Sequence, residues 1–200
     1  MIDRPLALFI KPCVDACSRS LIQLGLRADA LTILGFFTGI ASAALIATEH
    51  YLWGLALLLT SRALDALDGA VARLTKPTDR GGFLDITLDF IFYASIPLAF
   101  AIANPAVNAL AAATLLFAFM GTASSFLAYA SLAAKRGAAP SPSKAIRYLG
   151  GLTEAFETLL CFALMCLLPQ YFALLAYGFS AMCFLTTVTR IYQAWQDFKE

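Results

Sequence analysis

Long uncharged apolar segments dominate this chain and restrict the folds open to it. One of them runs from residue 107 to residue 134 without a single charged side chain. A helix of about 20 apolar residues is long enough to cross a bilayer, and helices satisfy their own backbone hydrogen bonds there. With 60% hydrophobic and only 14% charged residues, the composition excludes an ordinary soluble domain, in which about a quarter of the residues are charged. The sequence therefore predicts an all-α, polytopic membrane protein.

Polar turns divide the apolar sequence into six predicted transmembrane helices. Their ranges are 31–47, 51–73, 83–102, 107–134, 152–168 and 172–189. The N-terminal part mixes Arg4, Lys11 and Arg19 with short apolar runs, which predicts an amphipathic helix at the membrane interface. The chain is thus predicted to form one membrane domain, 1–200, with an interfacial segment at 1–27 and a six-helix bundle at 28–193.

The 14 Lys and Arg residues are distributed unevenly among the predicted helices and turns. The turns near His50, Asn104 and Pro169 contain none. All but Arg62 lie in the N-terminal segment, at 73–80, at 135–147 or in the C-terminal tail. By the positive-inside rule, both termini and these two loops are expected on the cytoplasmic side of the membrane.

Two pairs of aspartates interrupt the apolar pattern between residues 65 and 89. Asp65 and Asp68 are three residues apart, and Asp85 and Asp89 are four apart, so on helices each pair projects from one face. A polar linker, 75–80, leads through two glycines to the second pair. The spacing predicts a helical hairpin with two carboxylates facing inward from each arm, opening to the cytoplasm.

This cluster predicts a divalent-cation site for phosphate chemistry. Carboxylates so close together repel one another unless a cation lies among them, and oxygen ligands favour Mg²⁺, Mn²⁺ or Ca²⁺ over zinc, which calls for Cys or His. An aspartate at the centre of a membrane helix costs about 2.5–3.5 kcal/mol, so such residues usually serve a function. Divalent cations near the headgroup level suit a phosphate or pyrophosphate substrate with lipid tails.

Two other interpretations of the aspartates remain open at this stage. A structural ion-pair cluster around Arg62 and Arg73 would leave an excess of negative charge, because two arginines face four aspartates. A divalent-cation channel or transporter would need polar residues that continue to the far side of the membrane. There the predicted helices offer only Glu49 and His50, both at a turn.

One spaced motif resembles the signature of the CDP-alcohol phosphotransferase family: Asp65-x2-Asp68-Gly69-x2-Ala72-Arg73-x7-Gly81-x3-Asp85-x3-Asp89. The motif is specific because it fixes eight residues over 25 positions. The six-helix layout with an amphipathic N-terminal segment is similar to that family too. The usual pattern has eight residues between the Ala-Arg pair and the glycine, whereas this chain has seven before Gly81.

The resemblance implies an enzyme of phospholipid biosynthesis in which a hydroxyl acceptor attacks the lipid-side phosphorus of a CDP-linked pyrophosphate and CMP is released. It implies two divalent ions, Mg²⁺ or Mn²⁺, bound by Asp65, Asp68, Asp85 and Asp89. Asp89 would also be the general base. Gly69, Ala72 and Arg73 would line the binding site of the cytidine nucleotide.

The expected partners are CDP-diacylglycerol or another CDP-alcohol, a hydroxyl-bearing acceptor and membrane lipids, but no nucleic acid. Small-residue faces such as Gly35 and Gly39 favour close helix packing, and together with the resemblance they favour a homodimer. The motif leaves the acceptor open: glycerol phosphate, an inositol phosphate, serine, an amino alcohol, or a lipid alcohol that accepts from a CDP-alcohol, all fit.

Lys144 and Arg147 are candidates for holding an anionic acceptor. The alternative is that they are ordinary positive-inside charges near anionic lipid. Glu154 and Glu157 are weaker candidates for the acceptor site, because carboxylates at a helix start are also favoured by the helix macrodipole.

Overall fold

The computed structural model describes residues 3–136 and 152–198. Within these ranges the chain forms seven α-helices and one 3-10 turn, with no β-strand. In chain order the elements are α1 (Asp3–Gln23), α2 (Ala28–Ala47), α3 (Tyr51–Leu74), α4 (Asp79–Ala103), α5 (Pro105–Lys135), α6 (Ala155–Leu167), the 3-10 turn (Pro169–Tyr171) and α7 (Phe172–Asp197). The all-α prediction is confirmed for the described residues, and the six predicted spans correspond to α2–α7.

Four elements have the length and composition needed to cross a membrane: α2, α4, α5, and the 3-10 turn together with α7. The helix α3 differs because it contains Arg62, Asp65 and Asp68. The helix α6 is apolar but has only 13 residues. The N-terminal segment is helical as predicted, and α1 packs on α3.

Glycine and serine residues let α2 lie unusually close to α3 and α4. The Ser61 hydroxyl on α3 donates a 2.8 Å hydrogen bond to the carbonyl of Gly35. Similarly, the Ser42 hydroxyl on α2 donates a 2.7 Å bond to the carbonyl of Gly54 on α3. A Cβ at Gly39 would fall on the ring of Phe92 in α4. The predicted close packing of the Gly35 and Gly39 face is confirmed, and this face of α2 packs against both α3 and α4.

An aromatic core fills the half of the bundle that contains the turns near His50 and Asn104. Phe100 stacks on Tyr51 with ring centroids 5.6 Å apart, and on Phe172 with centroids 4.5 Å apart. Phe92 and Ile96, nearer the middle of α4, are also fully buried. The aspartates occupy the opposite half, toward the turn between α3 and α4.

Two helix ends lie four or more residues from their predicted positions. The helix α4 begins at Asp79 instead of residue 83, because Thr78 acts as its N-cap and accepts a 3.0 Å hydrogen bond from the amide of Gly81, as N-cap threonines commonly do. The predicted linker is therefore shorter, and both glycines lie in the first turn of α4.

The helix α7 continues to Asp197, whereas a polar tail was predicted after residue 189. Its last turns are held by α5, where the Tyr129 hydroxyl donates a 2.8 Å hydrogen bond to Asp197. Tyr129 and Ala133 also pack against Ala194 and Phe198. These contacts between α5 and α7 explain why the polar sequence stays helical.

Candidate active site

The hairpin of α3 and α4 brings three of the four predicted ligands together. Asp65 and Asp68 project from α3, and Asp85 projects from α4. Each offers a carboxylate oxygen, and these oxygens all lie within 4.8 Å of one another. The i,i+3 spacing on α3 and the close approach of α4 produce this convergence.

The three carboxylates suit a hard divalent cation. Asp68 is only 5% exposed, and its Oδ2 is buried without a hydrogen-bond partner in the part of the chain that the structure describes. A buried carboxylate oxygen without a donor is costly, and a bound cation would remove that cost. Three clustered carboxylates with one such oxygen are the donor set that Mg²⁺ or Mn²⁺ prefers, so these residues fit the implied metal.

Asp89 is not one of the three converging carboxylates, and it pairs with Arg62. Arg62 Nη1 donates a 2.7 Å hydrogen bond to Asp89 Oδ1, and the same nitrogen lies 3.4 Å from Asp65 Oδ1. A pocket of about 10 Å³ beside these groups is lined by Asp65, Asp85 and Asp89, which is about the space that one water molecule needs. Arg62 therefore joins the two arms of the hairpin at the deep end of the carboxylate cluster.

Of the alternative ion-pair cluster around Arg62 and Arg73, the described residues contain the Arg62 pairs alone. Arg73 lies one turn beyond Gly69, and its guanidinium packs over that glycine. A Cβ at Gly69 would stand 3.1 Å from Arg73 Nη1. A larger residue at position 69 would displace the arginine.

A cavity of about 600 Å³ opens beside Asp68 and Asp85 at the α3–α4 turn. Gly69 and Ala72, two of the predicted nucleotide residues, line it; small side chains there leave room for a flat ring. The third predicted nucleotide residue, Arg73, lies beside the cavity through its packing on Gly69.

The start of α2 supplies the opposite wall of this first cavity, which sequence reasoning missed. Asp29 and Thr32 line it, and Arg80 Nη2 donates a 3.1 Å hydrogen bond to Asp29 Oδ2 across its rim. The isolated Asp29 just before a long apolar run was the only sequence signal for this contact.

A second cavity, of about 430 Å³, lies on the other side of the cluster and is lined by Asp89. Its walls come from α4, α5, α6 and α7 and are mostly apolar, with Tyr93, Phe119 and Phe126 among them. Arg190 of α7, which is 7% exposed, also lines it and donates a 3.0 Å hydrogen bond to the Thr122 carbonyl. The sequence prediction had assigned Arg190 to a polar tail, so its place in the bundle was missed.

The two weaker acceptor candidates on α6 have a clear structural role. Glu154 is the N-cap of α6, and the Glu154 and Glu157 side chains form a reciprocal capping box. In it, the Glu154 amide donates a 3.1 Å hydrogen bond to Glu157 Oε2. The stronger candidates, Lys144 and Arg147, lie outside the described residues.

The channel interpretation gains no support from this geometry. A cation leaving the cluster toward the far side would meet Phe92, Ile96 and Phe100, each 0% exposed. In the described ranges, that half of the bundle is packed with aromatic and aliphatic side chains, and a permeation path would need polar groups there.

The described helices form a membrane bundle in which clustered carboxylates lie between two cavities. This arrangement is typical of an enzyme that acts on a charged substrate. The chain belongs to the CDP-alcohol phosphatidyltransferase family, whose model matches residues 26–191. It is therefore a transferase of substituted phosphate groups, and its family is one of phospholipid biosynthesis.

Two curated proteins are similar to this chain in sequence. The inner membrane protein YnjF of Escherichia coli (strain K12) is 48% identical over 202 residues, covering 100% of this chain and 98% of that protein. The archaetidylinositol phosphate synthase of Methanothermobacter thermautotrophicus is 44% identical over 82 residues, covering 40% of this chain and 38% of that protein. The first relative and the four apolar elements identify an integral membrane protein.

Solved structures with the same fold include two of the Mycobacterium tuberculosis phosphatidylinositol phosphate synthase. The complex with manganese and citrate has a TM-score of 0.75 at 21% identity and covers 91% of this chain and 88% of that one. The complex with CDP-DAG has a TM-score of 0.72 at 22% identity and covers 91% and 93%.

Proposed function

We propose that this protein transfers a phosphatidyl or other substituted phosphoryl group from a CDP-linked lipid to a hydroxyl acceptor and releases CMP. The observation that supports this most directly is the position of the four aspartates. They lie between two cavities, with Asp68 and Asp85 on one and Asp89 on the other. Two substrates that enter from opposite sides would meet at the carboxylates.

The donor would occupy the first cavity, the one lined by Gly69 and Ala72. Small residues there admit the cytosine ring, and the Arg73 guanidinium beside Gly69 offsets phosphate charge. The mycobacterial synthase has been solved with CDP-DAG bound, which supports CDP-diacylglycerol, or another CDP-alcohol, as the donor.

Asp65, Asp68 and Asp85 would hold a Mg²⁺ or Mn²⁺ ion. The second ion expected from the sequence would have Asp89 among its ligands and would share that carboxylate with Arg62. When bound, such ions neutralise charge on the phosphate oxygens and make the phosphorus easier to attack. The synthase solved in complex with manganese has the same fold, which is consistent with this choice of metal.

In the reaction, the acceptor oxygen forms a bond to the lipid-side phosphorus, and the bond from that phosphorus to the bridging oxygen breaks. The bridging oxygen keeps the electron pair and leaves as part of CMP. Asp89 accepts the hydroxyl proton of the acceptor as the new bond forms, which is the role of a general base. The mostly apolar walls of the second cavity, including Tyr93 and Phe119, would limit competing attack by water.

The acceptor would approach Asp89 from the second cavity. Lys144 and Arg147 remain our proposed contacts for an anionic acceptor, on the basis of their charge and their place in the basic loop at 135–147. The chemistry of the cavity leaves the identity of the acceptor alcohol open.

All six helices α2–α7 are proposed to span the membrane, with both termini and the active site on the cytoplasmic side. If α3 spans the membrane, its charged side chains must face the interior of the bundle. The side chains of Arg62 and Asp68 are indeed largely buried. The 13 residues of α6 cover only about 20 Å at 1.5 Å per residue, so α6 would cross a thinned part of the bilayer. The helix α1 would lie at the interface, and the chain would form a homodimer.

The test is a CMP-release assay on the purified full-length protein in lipid nanodiscs. CDP-diacylglycerol and Mg²⁺ or Mn²⁺ are supplied with glycerol phosphate, an inositol phosphate, serine, an amino alcohol or a lipid alcohol, each in a separate reaction. Metal-dependent CMP release with one of them, matched by an equal amount of new phospholipid, is expected. CMP release that no acceptor stimulates would overturn the proposal.

A further inference from the structure

Arg62 lies outside the family motif, yet it contacts two of the four aspartates. We propose that Arg62 is a positioning residue that fixes one oxygen of Asp89 and aims its carboxylate at the acceptor. This inference rests on the proposed function, because it takes Asp89 as the group that receives the acceptor's proton. It assigns Arg62 no contact with either substrate.

The contacts of Arg62 are asymmetric between the two aspartates. Nη1 donates to Asp89 Oδ1 at 2.7 Å, but it lies 3.4 Å from Asp65 Oδ1. The shorter contact is a charge-assisted hydrogen bond, which is stronger and more directional than an ordinary one. One oxygen of Asp89 is therefore fixed by an arginine from the opposite arm of the hairpin.

The guanidinium itself is held in one pose. Its Cζ lies 4.0 Å from the centroid of the Phe92 ring, which is a cation–π distance. Nη2 donates a 3.2 Å hydrogen bond to the Ser61 hydroxyl, which in turn donates to the Gly35 carbonyl. With its side chain 11% exposed, Arg62 is anchored to α2, α3 and α4 at once.

This anchoring separates the aspartates into two groups. Asp65, Asp68 and Asp85 converge within 4.8 Å, whereas Asp89 is held by Arg62 and lines the second cavity. A group that must meet an acceptor hydroxyl needs a fixed position, because small misplacements of reacting groups reduce rates strongly. Arg62 supplies that fixed position through Oδ1 and leaves Oδ2 for the proposed second ion and for the acceptor's proton.

The experiment compares Arg62→Gln and Arg62→Lys with the wild type, using full-length protein in nanodiscs. CMP release is measured with CDP-diacylglycerol and the most active acceptor from the panel above, and Mn²⁺ binding is measured by electron paramagnetic resonance. We expect kcat of Arg62→Gln to fall at least about tenfold through misplacement of the base, with unchanged KM for CDP-diacylglycerol and Mn²⁺ affinity close to wild type. Arg62→Lys should also lose kcat, because lysine lacks the planar fork of the guanidinium. Arg19→Gln, an exposed change on α1, is the matched control.

A double-mutant cycle tests whether Arg62 acts through Asp89. Residues that act as a unit are not additive, so Arg62→Gln should have little further effect on kcat in an Asp89→Asn background. The inference is overturned if Arg62→Gln keeps wild-type kcat, if its effect is fully additive with Asp89→Asn, or if it weakens Mn²⁺ binding as much as Asp68→Asn does. If Arg62→Gln does not fold, the same criteria apply to Arg62→Lys. Wild-type turnover by Asp89→Asn would instead refute the proposed role of Asp89 itself.

Discussion

Gly39 on α2 lies directly against the aromatic ring of Phe92 on α4, so closely that a Cβ at residue 39 would overlap the ring. The same ring carries the Arg62 guanidinium on its face, with Cζ 4.0 Å from the ring centroid. The glycine therefore determines where Phe92 can lie, and Phe92 in turn supports the arginine that pairs with Asp89. Helix packing and the acidic centre are linked through this one contact.

We predict that Gly39→Ala destabilises the protein by about 1–3 kcal/mol, because the added methyl group overpacks a filled site. Thermal unfolding in detergent should show a lower Tm. Gly178→Ala is the matched control, since no atom lies within 4 Å of its added Cβ and replacing a helical glycine by alanine gains up to about 1 kcal/mol. Equal Tm values for Gly39→Ala and the wild type would contradict the packing argument.

The orientation of the bundle can be tested by cysteine labelling from each side of the membrane. Glu49 and Lys76 are both exposed and lie at opposite ends of α3, so Glu49→Cys and Lys76→Cys report on the two faces. Cys13 and Cys17, which are also exposed, are first replaced by serine. We expect an impermeant reagent to label only position 76 from the cytoplasmic side. Labelling of both positions from one side would refute the topology.

Metal dependence follows from a ligand set made only of carboxylate oxygens. Activity should disappear in excess chelator and return with Mg²⁺ or Mn²⁺ but not with Zn²⁺, which prefers nitrogen and sulfur ligands. CMP release is the measurement, and restoring the chelated sample with a measured excess of Mg²⁺ is the control for protein damage. Full turnover in chelator would exclude the metal sites.

The basic loop at 135–147 is expected to act on the acceptor only. Lys144→Gln and Arg147→Gln should each raise KM for an anionic acceptor, with a smaller effect on KM for the CDP-linked lipid. Lys11→Gln, an exposed change on α1, removes a charge of the same sign elsewhere and should leave both values unchanged. Equal changes in the two KM values, or no change in either, would show that Lys144 and Arg147 are ordinary surface charges.

The helices and the aspartate hairpin were predictable because each depends on local sequence. Long apolar segments separated by polar turns made it possible to locate α2–α7 in the sequence. The spacing of Asp65 and Asp68 placed both residues on one face of α3. The start of α4 was set too late because the cap at Thr78 was not recognised, although a threonine followed by an acidic residue in the first turn, here Asp79, is a known start signal.

The partners of the aspartates were harder to predict because they depend on distant packing. Arg62 and Asp89 are 27 residues apart, and their pairing requires the close approach of α2 and α4 at Gly39. The second cavity is likewise formed by four helices, so no single stretch of sequence could indicate that Arg190 and Asp89 line the same space.

The clearest prediction separates the roles of the aspartates. Asp68 and Asp85 belong to the converging trio, so Asp68→Asn and Asp85→Asn should lower Mn²⁺ affinity and activity together. Asp89→Asn keeps the size of the side chain and one oxygen, but it cannot accept a proton as a base does. We expect it to bind the CDP-linked lipid within about tenfold of wild type while losing about 10²–10⁴-fold in turnover, the contribution typical of a general base. Titration of the donor against each purified variant with Mg²⁺ present is the measurement. If Asp89→Asn loses donor binding as severely as Asp68→Asn, then Asp89 is mainly a metal ligand, and another group accepts the proton.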